Sequence, residues 1–430
     1  MKEEVFHFIW QHGLFNKDEL KTLDDESVKI IHPGTLNSNS GPDFIQAKIF
    51  IDNVLFIGNV ELHLIGQDWY KHQHETDASY QNVILHVVLN DAIPTKVLNR
   101  NIPTVEIGNR VEKAFTRNYT YLLQHQNRFA CEKLCANIPS KIIEEQWEWA
   151  GKQRIIQKSK KLHELFLQTG NRIDQAFLIL LTRNFGFGIN NEIAQMLGTR
   201  LPIKLVYKYM HSQFQLEALI LGLSGLLEKE TSDEYFLELE KEFRYLKQQF
   251  QLIPLPAHAW KFSKTRPGNF PTIRLAQLAA LLHQKPRLIP QIFEAKNLKD
   301  LMNIFESEIS PYWQNHYAPG KFKAQRQLQL SKEGIYNIII NSVIPLWVWE
   351  GFRSEVSLFL DRSEALLKEM PFENNKYTRI FEALNPPKKN AFHSQAAYYQ
   401  AKEFCEKKQC LHCKIGQNIL HPKAEITSAF

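Results

Sequence analysis

The stretch GPDFIQAKIFIDNVLFIGNVELH, residues 41–63, decides how the N-terminal part of the chain folds. Two largely apolar runs flank Asp52-Asn53, a residue pair typical of tight turns, so the sequence predicts a β-hairpin. Residues of matching parity on adjacent strands share one face of a sheet. We therefore expect Asp43 and Glu61 to lie side by side. His63, two residues after Glu61, should lie on the same face.

The segments around this hairpin extend the predicted sheet. Residues 3–23 have a helical apolar face, and the patterns at 28–31, 83–89 and 104–107 predict further strands. Residues 84–89 are nearly all apolar, as in a central strand covered on both faces. After residue 110 amphipathic helices dominate. The sequence predicts an α+β domain over 1–110, with a mixed sheet of about five strands, and a mainly α-helical domain over 111–430.

Composition and charge narrow the class of protein. The chain has 430 residues, 44% hydrophobic and 23% charged, as in ordinary globular proteins. No apolar run approaches the roughly 20 residues that span a bilayer, and no signal-peptide core is visible, so we expect a cytoplasmic protein without a membrane partner. Residues 1–110 carry 9 Lys and Arg against 15 Asp and Glu, a net of −6, which leaves +12 for the remainder. A basic half beside an acidic one is typical of a nucleic-acid enzyme.

The acidic residues of the hairpin are candidate ligands for a hard metal ion. Two carboxylates side by side can hold Mg²⁺ or Mn²⁺, which polarises a phosphate and activates water. Asp43 and Glu61 are the candidates, and His63 is a candidate base or ligand beside them. The simpler alternatives are that Asp43 is a turn residue after proline and that Glu61 forms an ion pair on the face of a strand.

Several further side chains that can bind a metal follow the hairpin in the sequence. Imidazoles and a carboxylate that lie close together in the sequence can bind a transition metal. The candidates are His72, His74, Asp77 and His86. Alternatively, these residues belong to a polar loop and a strand histidine satisfied by ordinary hydrogen bonds.

The C-terminal cysteines are spaced like a small metal-binding knuckle. Cys405, Cys410 and Cys413 are separated by four and two residues, and His412, Cys131 or Cys135 could supply a fourth ligand. The pattern predicts a structural zinc ion or an iron–sulfur cluster. The alternative is a set of thiols at the end of a helix.

A basic loop at residues 260–274 interleaves cations with aromatic residues. Such a loop can follow a phosphate backbone, so it is a candidate contact for DNA or RNA. Its candidate nucleic-acid-binding residues are Lys261, Lys264, Arg266 and Arg274. Alternatively, the loop is a rigid, proline-bound connection that docks the helical domain.

The hairpin motifs resemble those of the PD-(D/E)xK nuclease superfamily, whose restriction-endonuclease-like core is a helix, three strands, a helix and a further strand. Pro42-Asp43 occupies the position of the first motif, and Glu61-Leu62-His63 that of the second, 18 residues later. The resemblance implies a metal-dependent phosphodiesterase with Asp43, Glu61 and His63 as catalytic residues. His63 stands where the superfamily has lysine, which implies either a different base or a site that no longer cleaves.

Motifs along nearly the whole chain also resemble a bacterial family labelled domain of unknown function 2851. They include HPG at 32–34, GPDF at 41–44, GNVELH at 58–63, RPGNFP at 266–271 and the three C-terminal cysteines. This resemblance implies a bacterial protein and no particular activity. Three hypotheses follow: a nuclease or nuclease-derived nucleic-acid-binding protein, a protein-interaction module with a structural metal, and a transition-metal hydrolase.

Overall fold

The computed structural model of the chain describes residues 1–37, 39–124, 129–228, 231–263, 265–322, 329–384 and 390–420. Its strands are β1 (Val28–His32), β2 (Thr35–Leu36), β3 (Phe44–Ile51), β4 (Val54–Ile65), β5 (Val83–Asn90), β6 (Thr95–Val97), β7 (Arg100–Ile102), β8 (Thr104–Glu106), β9 (His316–Ala318) and β10 (Lys321–Phe322). Its helices are α1 (Glu3–His12), α2 (Asp68–Lys71), α3 (Lys113–Gln124), α4 (Ser140–Gln168), α5 (Ile173–Asn184), α6 (Asn191–Arg200), α7 (Ile203–Tyr209), α8 (Gln213–Leu223), α9 (Glu234–Phe250), α10 (Pro271–Gln284), α11 (Leu288–Glu294), α12 (Leu298–Phe305), α13 (Pro311–Asn315), α14 (Lys332–Ile338), α15 (Ile344–Ser354), α16 (Leu358–Glu369), α17 (Lys376–Ile380), α18 (Ala391–Tyr399) and α19 (Lys414–Leu420).

The described residues form two compact units. The first unit takes residues 1–147, 379–384 and 400–420, and the second takes 148–378 and 390–399. The first unit contains the sheet and also the cysteine-rich C-terminal segment. A mixed sheet followed by a largely helical region confirms the fold class predicted from the sequence.

The sheet of the first unit is mixed and curls into a half-barrel. Its strand order is β1-β3-β4-β5-β8, with β2 paired to β3 outside this path. β1, β3 and β4 are antiparallel, whereas β5 is parallel to both β4 and β8. The predicted hairpin is confirmed: Ile51 pairs with Val54, and Asp52 and Asn53 have φ of 45° and 67°. Left-handed backbone at both turn residues matches the twist of the strands.

Burial separates the central strand from the helix that begins the chain. Every residue of β5 except Asn90 is buried, which confirms the prediction of a central strand. The leading helix is shorter than predicted from residues 3–23, because α1 ends at His12. Gly13 follows it with φ of 63°, a left-handed conformation that ends helices and favours glycine. The apolar face of α1 is buried, and the helix packs against β4.

The strand register sets the positions of the candidate ligands. Phe44 pairs with Val60 across β3 and β4, which places Asp43 beside Glu61 at the next step along the strands. In the parallel pair of β4 and β5, Glu61 is opposite His86. The connection between these strands begins with α2, anchored by Trp69, which is fully buried. His72 and His74 follow this helix and so lie over the same end of β4.

The helical unit departs from the predicted helices at two places. The pattern predicts one helix over 173–197, but α5 and α6 are separate, and Gly188 has φ of 88° between them. The helix predicted over 332–350 contains a π-helical turn, Ile339–Val343, between α14 and α15. Pro345 explains this turn, since proline lacks the N–H that an α-helix needs and its ring crowds the preceding turn.

Among the residues that the structure describes, none of the helices combines the length and the apolar character that a membrane crossing needs.

Candidate metal centre

Asp43 and Glu61 are held side by side by reciprocal hydrogen bonds to the backbone. The Asp43 N–H donates to Glu61 Oε2 at 3.0 Å, and the Leu62 N–H donates to Asp43 Oδ2, also at 3.0 Å. Each carboxylate thus fixes the strand that carries the other. One oxygen of each is used in this way, which leaves Glu61 Oε1 and Asp43 Oδ1 for other partners.

Three imidazoles converge beside Glu61. One nitrogen from each of His63, His72 and His74 lies within 4.8 Å of the others. Glu61 Oε1 is 3.4 Å from His74 Nε2 and 3.7 Å from His63 Nε2, and His63 Nε2 is 3.3 Å from His72 Nδ1. We call these four residues the imidazole–carboxylate cluster. Three nitrogens and one carboxylate oxygen form a ligand set that zinc and other divalent transition metals accept.

A chain of buried hydrogen bonds, which we call the relay, determines which ring nitrogen of His63 carries the proton. The relay begins at Thr104, whose hydroxyl donates to the Ile102 carbonyl at 3.2 Å. Because that hydroxyl has a single hydrogen, the Thr95 hydroxyl must donate in the short contact between the two threonines. Thr95 Oγ1 therefore accepts from His86 Nδ1, 3.3 Å away.

The relay continues from His86 to His63. A neutral His86 that donates through Nδ1 has an unprotonated Nε2, which lies 3.0 Å from His63 Nδ1. His63 must then donate from Nδ1, and its Nε2 keeps a lone pair directed at the imidazole–carboxylate cluster. An outer partner that fixes the tautomer is the usual support of a metal-binding histidine.

Burial determines the protonation of these groups. Burial, with a smaller contribution from the neighbouring histidines, lowers the pKa of His63 to about 4 and that of His86 to about 2. Burial also raises the pKa of Glu61 to about 7; the charge of Asp43 adds to this, while hydrogen bonds from His74 and from the Asp43 N–H oppose it. An uncharged His63 keeps the lone pair that a metal needs, and Glu61 would give up its proton to bind one.

A second group of ligand types lies on the other side of Asp43. Single ligand atoms of Glu3, His7 and Asp43 lie within 4.8 Å of one another, and His7 Nε2 is 3.2 Å from Asp43 Oδ2. Burial acts to lower the pKa of His7, but its contact with Asp43 and the charges of Glu3 and Glu61 raise it overall. Glu3 and His7 are not among the residues that the sequence motifs predict for the site. Their four-residue spacing on α1, which places both on one helix face, was the available signal.

Asp77 is not brought into the imidazole–carboxylate cluster. Its exposed carboxylate accepts hydrogen bonds from the N–H and the hydroxyl of Ser79, at 2.8 and 2.7 Å, and caps the 3₁₀ turn Ala78–Tyr80. This is the ordinary role of aspartate before a short helix. His86 pairs with Glu61 across the strands, and its ring is hydrogen-bonded to that of His63. Tyr80 stacks on His74, with ring centroids 3.9 Å apart, and thereby supports that imidazole.

The candidate nucleic-acid-binding residues lie in the second unit. Lys261 and Arg266 are exposed, and Lys264 lies outside the described residues. Arg274 is enclosed: its guanidinium lies over the ring of Phe187 and donates to Gln277 and Asn269. Desolvation lowers its pKa to about 10. Arg274 thus supports the loop from within.

The C-terminal cysteines also lie in the first unit. Cys405, Cys410 and Cys413 line one small cavity together with Cys131. Burial, with a smaller contribution from the neighbouring thiols, raises the pKa of Cys410 to about 12 and that of Cys413 to about 11. Without a metal these thiols are protonated at neutral pH. The side chain of Cys135 lies outside the described parts.

Fold and site together define a protein with an α+β unit that carries a candidate metal centre, and with a helical unit. The chain belongs to the family described as Protein of unknown function (DUF2851), whose model matches residues 3–376. No curated protein and no solved structure matches it.

Proposed function

We propose that the protein is a metal-dependent hydrolase whose ion is held by Glu61, His63, His72 and His74. The observation that carries the proposal is the convergence of three imidazole nitrogens, with Glu61 Oε1 3.4 Å from His74 Nε2 and 3.7 Å from His63 Nε2. Imidazole-rich ligand sets favour zinc or iron over magnesium, which prefers oxygen ligands and water. The convergence therefore supports the transition-metal hypothesis more strongly than a Mg²⁺ site at Asp43 and Glu61 alone.

A bound ion of this kind lowers the pKa of a coordinated water and polarises the bond to be cleaved. The side chains of the protein supply access for the substrate and an acceptor for the proton. Exposed His72 marks the side from which substrate reaches the site, whereas His63 and Glu61 form its buried floor. Asp43, beside Glu61 and half-buried, can accept a proton from an attacking water. His7 contacts Asp43 and holds its carboxylate in place.

Phosphodiester bonds of nucleic acid are the substrate class that the chain supports best. The order of α1, β1, β3, β4, α2 and β5 follows the helix, three strands, helix and strand of PD-(D/E)xK nucleases. Asp43 and Glu61 lie on neighbouring strands, as the motifs of those enzymes require. Residues after 110 carry a net charge of +12, which suits a polyanionic substrate.

The experiment that tests this function is cleavage of labelled single- and double-stranded DNA and RNA by the full chain. Mn²⁺, Zn²⁺ and Mg²⁺ are added separately after treatment with chelator. We expect cleavage with a transition metal, and loss of cleavage in Glu61→Gln, which keeps the side-chain shape but cannot ionise. Asp77→Asn is the matched control, since that carboxylate lies outside the imidazole–carboxylate cluster, and it should cleave like the wild type.

Two outcomes would contradict parts of the proposal. Cleavage that is equal in the wild type and in Glu61→Gln would place the chemistry elsewhere. A tightly bound ion without cleavage of any nucleic acid, or of a generic phosphodiester such as bis(p-nitrophenyl) phosphate, would reject the hydrolase. That second result would favour the non-enzymatic module with a structural metal.

A further inference from the structure

Four cysteines from distant parts of the chain meet in the first unit. Cys131, Cys405, Cys410 and Cys413 all line one small cavity, although the first is separated from the others by more than 270 residues. We call these residues the thiol cluster.

The local backbone is shaped around the three C-terminal members of this cluster. Cys405 ends a π-helical turn, Gln400–Cys405, and Cys410 begins a 3₁₀ turn that precedes α19. Gly416 makes the close wrapping possible, because a Cβ atom there would lie 2.1 Å from the Cys410 carbonyl oxygen. A residue larger than glycine would push the start of α19 away from the cysteines.

Several hydrogen-bond donors are directed at the sulfur atoms. Gln400 Nε2 is 3.3 Å from Cys413 Sγ and 3.9 Å from Cys405 Sγ, and the N–H groups of Ile415 and Gly416 also point to Cys413. Buried donors aimed at sulfur stabilise a negatively charged thiolate, as they do in metal–thiolate sites.

A further buried side chain fixes the orientation of Gln400. Gln146 Nε2 donates to Gln400 Oε1 at 2.8 Å, and Gln146 Oε1 accepts from the Lys414 N–H at 3.0 Å. Because both amides are oriented by these bonds, the NH₂ group of Gln400 has to face the sulfurs. The surroundings of the cluster are therefore those of a supported ligand set and not of thiols that happen to pack together.

The structure also separates the candidates for the fourth ligand. His412 Nε2 is 2.6 Å from Glu4 Oε1, and both side chains are more than half exposed. That imidazole is directed to solvent and away from the cavity. Cys131 lines the cavity and takes the fourth position.

We propose that Cys131, Cys405, Cys410 and Cys413 together bind a thiophilic metal, as a zinc ion or as an iron–sulfur cluster. Four thiolates are a complete ligand set for either. The role is structural: the metal ties the C-terminal segment to the residues that follow α3. It adds a second metal centre to the chain and does not depend on the hydrolase function.

The test begins with the wild-type full chain, purified without oxygen or added metal. Elemental analysis gives the metal and its amount, and visible absorption distinguishes an iron–sulfur cluster from colourless zinc. X-ray absorption at the metal edge should show four sulfur ligands. A chain without zinc or iron, or with metal bound only through nitrogen and oxygen, would overturn the proposal without reference to any variant.

Variants then assign the ligands. Cys131→Ser should lose at least about 90% of the sulfur-bound metal, whereas His412→Ala and Cys135→Ser should keep it. Loss of the metal in Cys135→Ser but not in Cys131→Ser would overturn the assignment of Cys131. If Cys131→Ser fails to fold, thiol labelling of the wild type decides: four thiols should be protected until a chelator is added, and equal labelling before and after would contradict the site.

A further variant distinguishes the proposed hydrolase site from the thiol cluster. His74→Ala removes a ligand of the imidazole–carboxylate cluster and should leave the sulfur-bound metal at the wild-type amount. Failure of nucleic-acid cleavage would likewise leave the X-ray absorption result unchanged. Loss of sulfur-bound metal in His74→Ala would contradict two independent centres.

Discussion

The two ligand clusters of the first unit differ in chemistry and in what supports them. The imidazole–carboxylate cluster offers three imidazole nitrogens and one carboxylate, and side chains on the sheet orient His63. The thiol cluster offers only sulfur, oriented by backbone N–H groups and two glutamines. Mixed ligands with an exposed member suit an ion that exchanges water and substrate, whereas four thiolates enclose a metal completely. This difference is why we propose chemistry for the first cluster and a structural role for the second.

The largest expected effect is the loss of metal affinity when a ligand of the imidazole–carboxylate cluster is removed. His74→Ala removes one nitrogen ligand, and we expect the affinity for Zn²⁺ or Mn²⁺ to fall by more than about 100-fold, since losing even a group that only orients a ligand costs about 10- to 100-fold. Isothermal titration calorimetry of the chelator-treated protein measures this change. His211→Ala, at an exposed histidine of the other unit, is the control. Equal affinities in the two variants would remove His74 from the ligand set.

The next largest effect is expected when the hydrogen bonds that set the tautomer of His63 are changed. Thr104→Val removes the acceptor of the Thr95 hydroxyl, which would then donate to His86 Nδ1 and reverse the tautomers of His86 and His63. A proton on His63 Nε2 blocks that ligand atom, so we expect metal affinity to fall by about 10- to 100-fold.

The readout of this variant goes beyond affinity. Nitrogen NMR of labelled histidine reports which ring nitrogen of His63 carries the proton, and Thr104→Val should exchange the two. Thr104→Ser keeps the hydroxyl and should keep both the wild-type tautomer and the affinity. An unchanged tautomer in Thr104→Val would refute the relay.

Acidification should lower the free energy of unfolding of the metal-free protein, because His63 and His86 resist protonation in the folded state. His63 and His86 stay neutral in the folded state down to about pH 4 and about pH 2, whereas in the unfolded chain both bind protons below about 6.5. The unfolded state therefore binds more protons between about pH 6.5 and 4, and stability is lost as the pH falls through this window. Each histidine contributes about 1.4 kcal/mol per pH unit there. NMR titration of the imidazoles, together with denaturant unfolding at each pH, measures the effect.

Glu61 opposes the loss of stability at low pH, so the variant Glu61→Gln is a control for the two histidines. Its raised pKa keeps a proton in the folded state that the unfolded chain loses above about pH 4.5, so it favours the folded state at lower pH. Glu61→Gln removes the opposing contribution and should lose stability more steeply with acid than the wild type. A shallower dependence in Glu61→Gln would contradict a protonated, buried Glu61.

The smallest expected effect concerns Asp77, which the sequence proposes as a ligand. Its carboxylate caps a short turn, so Asp77→Asn should leave metal affinity within about twofold of the wild type, as asparagine caps helices about as well as aspartate. Calorimetry under the conditions used for His74→Ala makes the comparison direct. A loss as large as in His74→Ala would show that Asp77 moves to the ion on binding.

Much of the sheet follows from local patterns. The strands predicted at 44–51 and 83–89 agree with the structure to within one residue, because alternation, β-branched residues and a left-handed turn act over short distances. The extent of α1 was missed because Gly13 can also lie inside an amphipathic pattern, and only the left-handed backbone shows that it ends the helix. The split of α5 from α6 was missed for a similar reason.

The sequence by itself determined the residue types of both clusters and the parity that sets Asp43 beside Glu61. Only the tertiary structure decided which of these residues meet. It gathered His63, His72 and His74 while leaving Asp77 at a turn, and it brought Cys131 to three cysteines from the far end of the chain. Thr95 and Thr104 gave no signal at all. The physical reason is that hydrophobic periodicity specifies an element and its faces, whereas convergence depends on the pairing of strands and on long-range packing, which a local pattern does not contain.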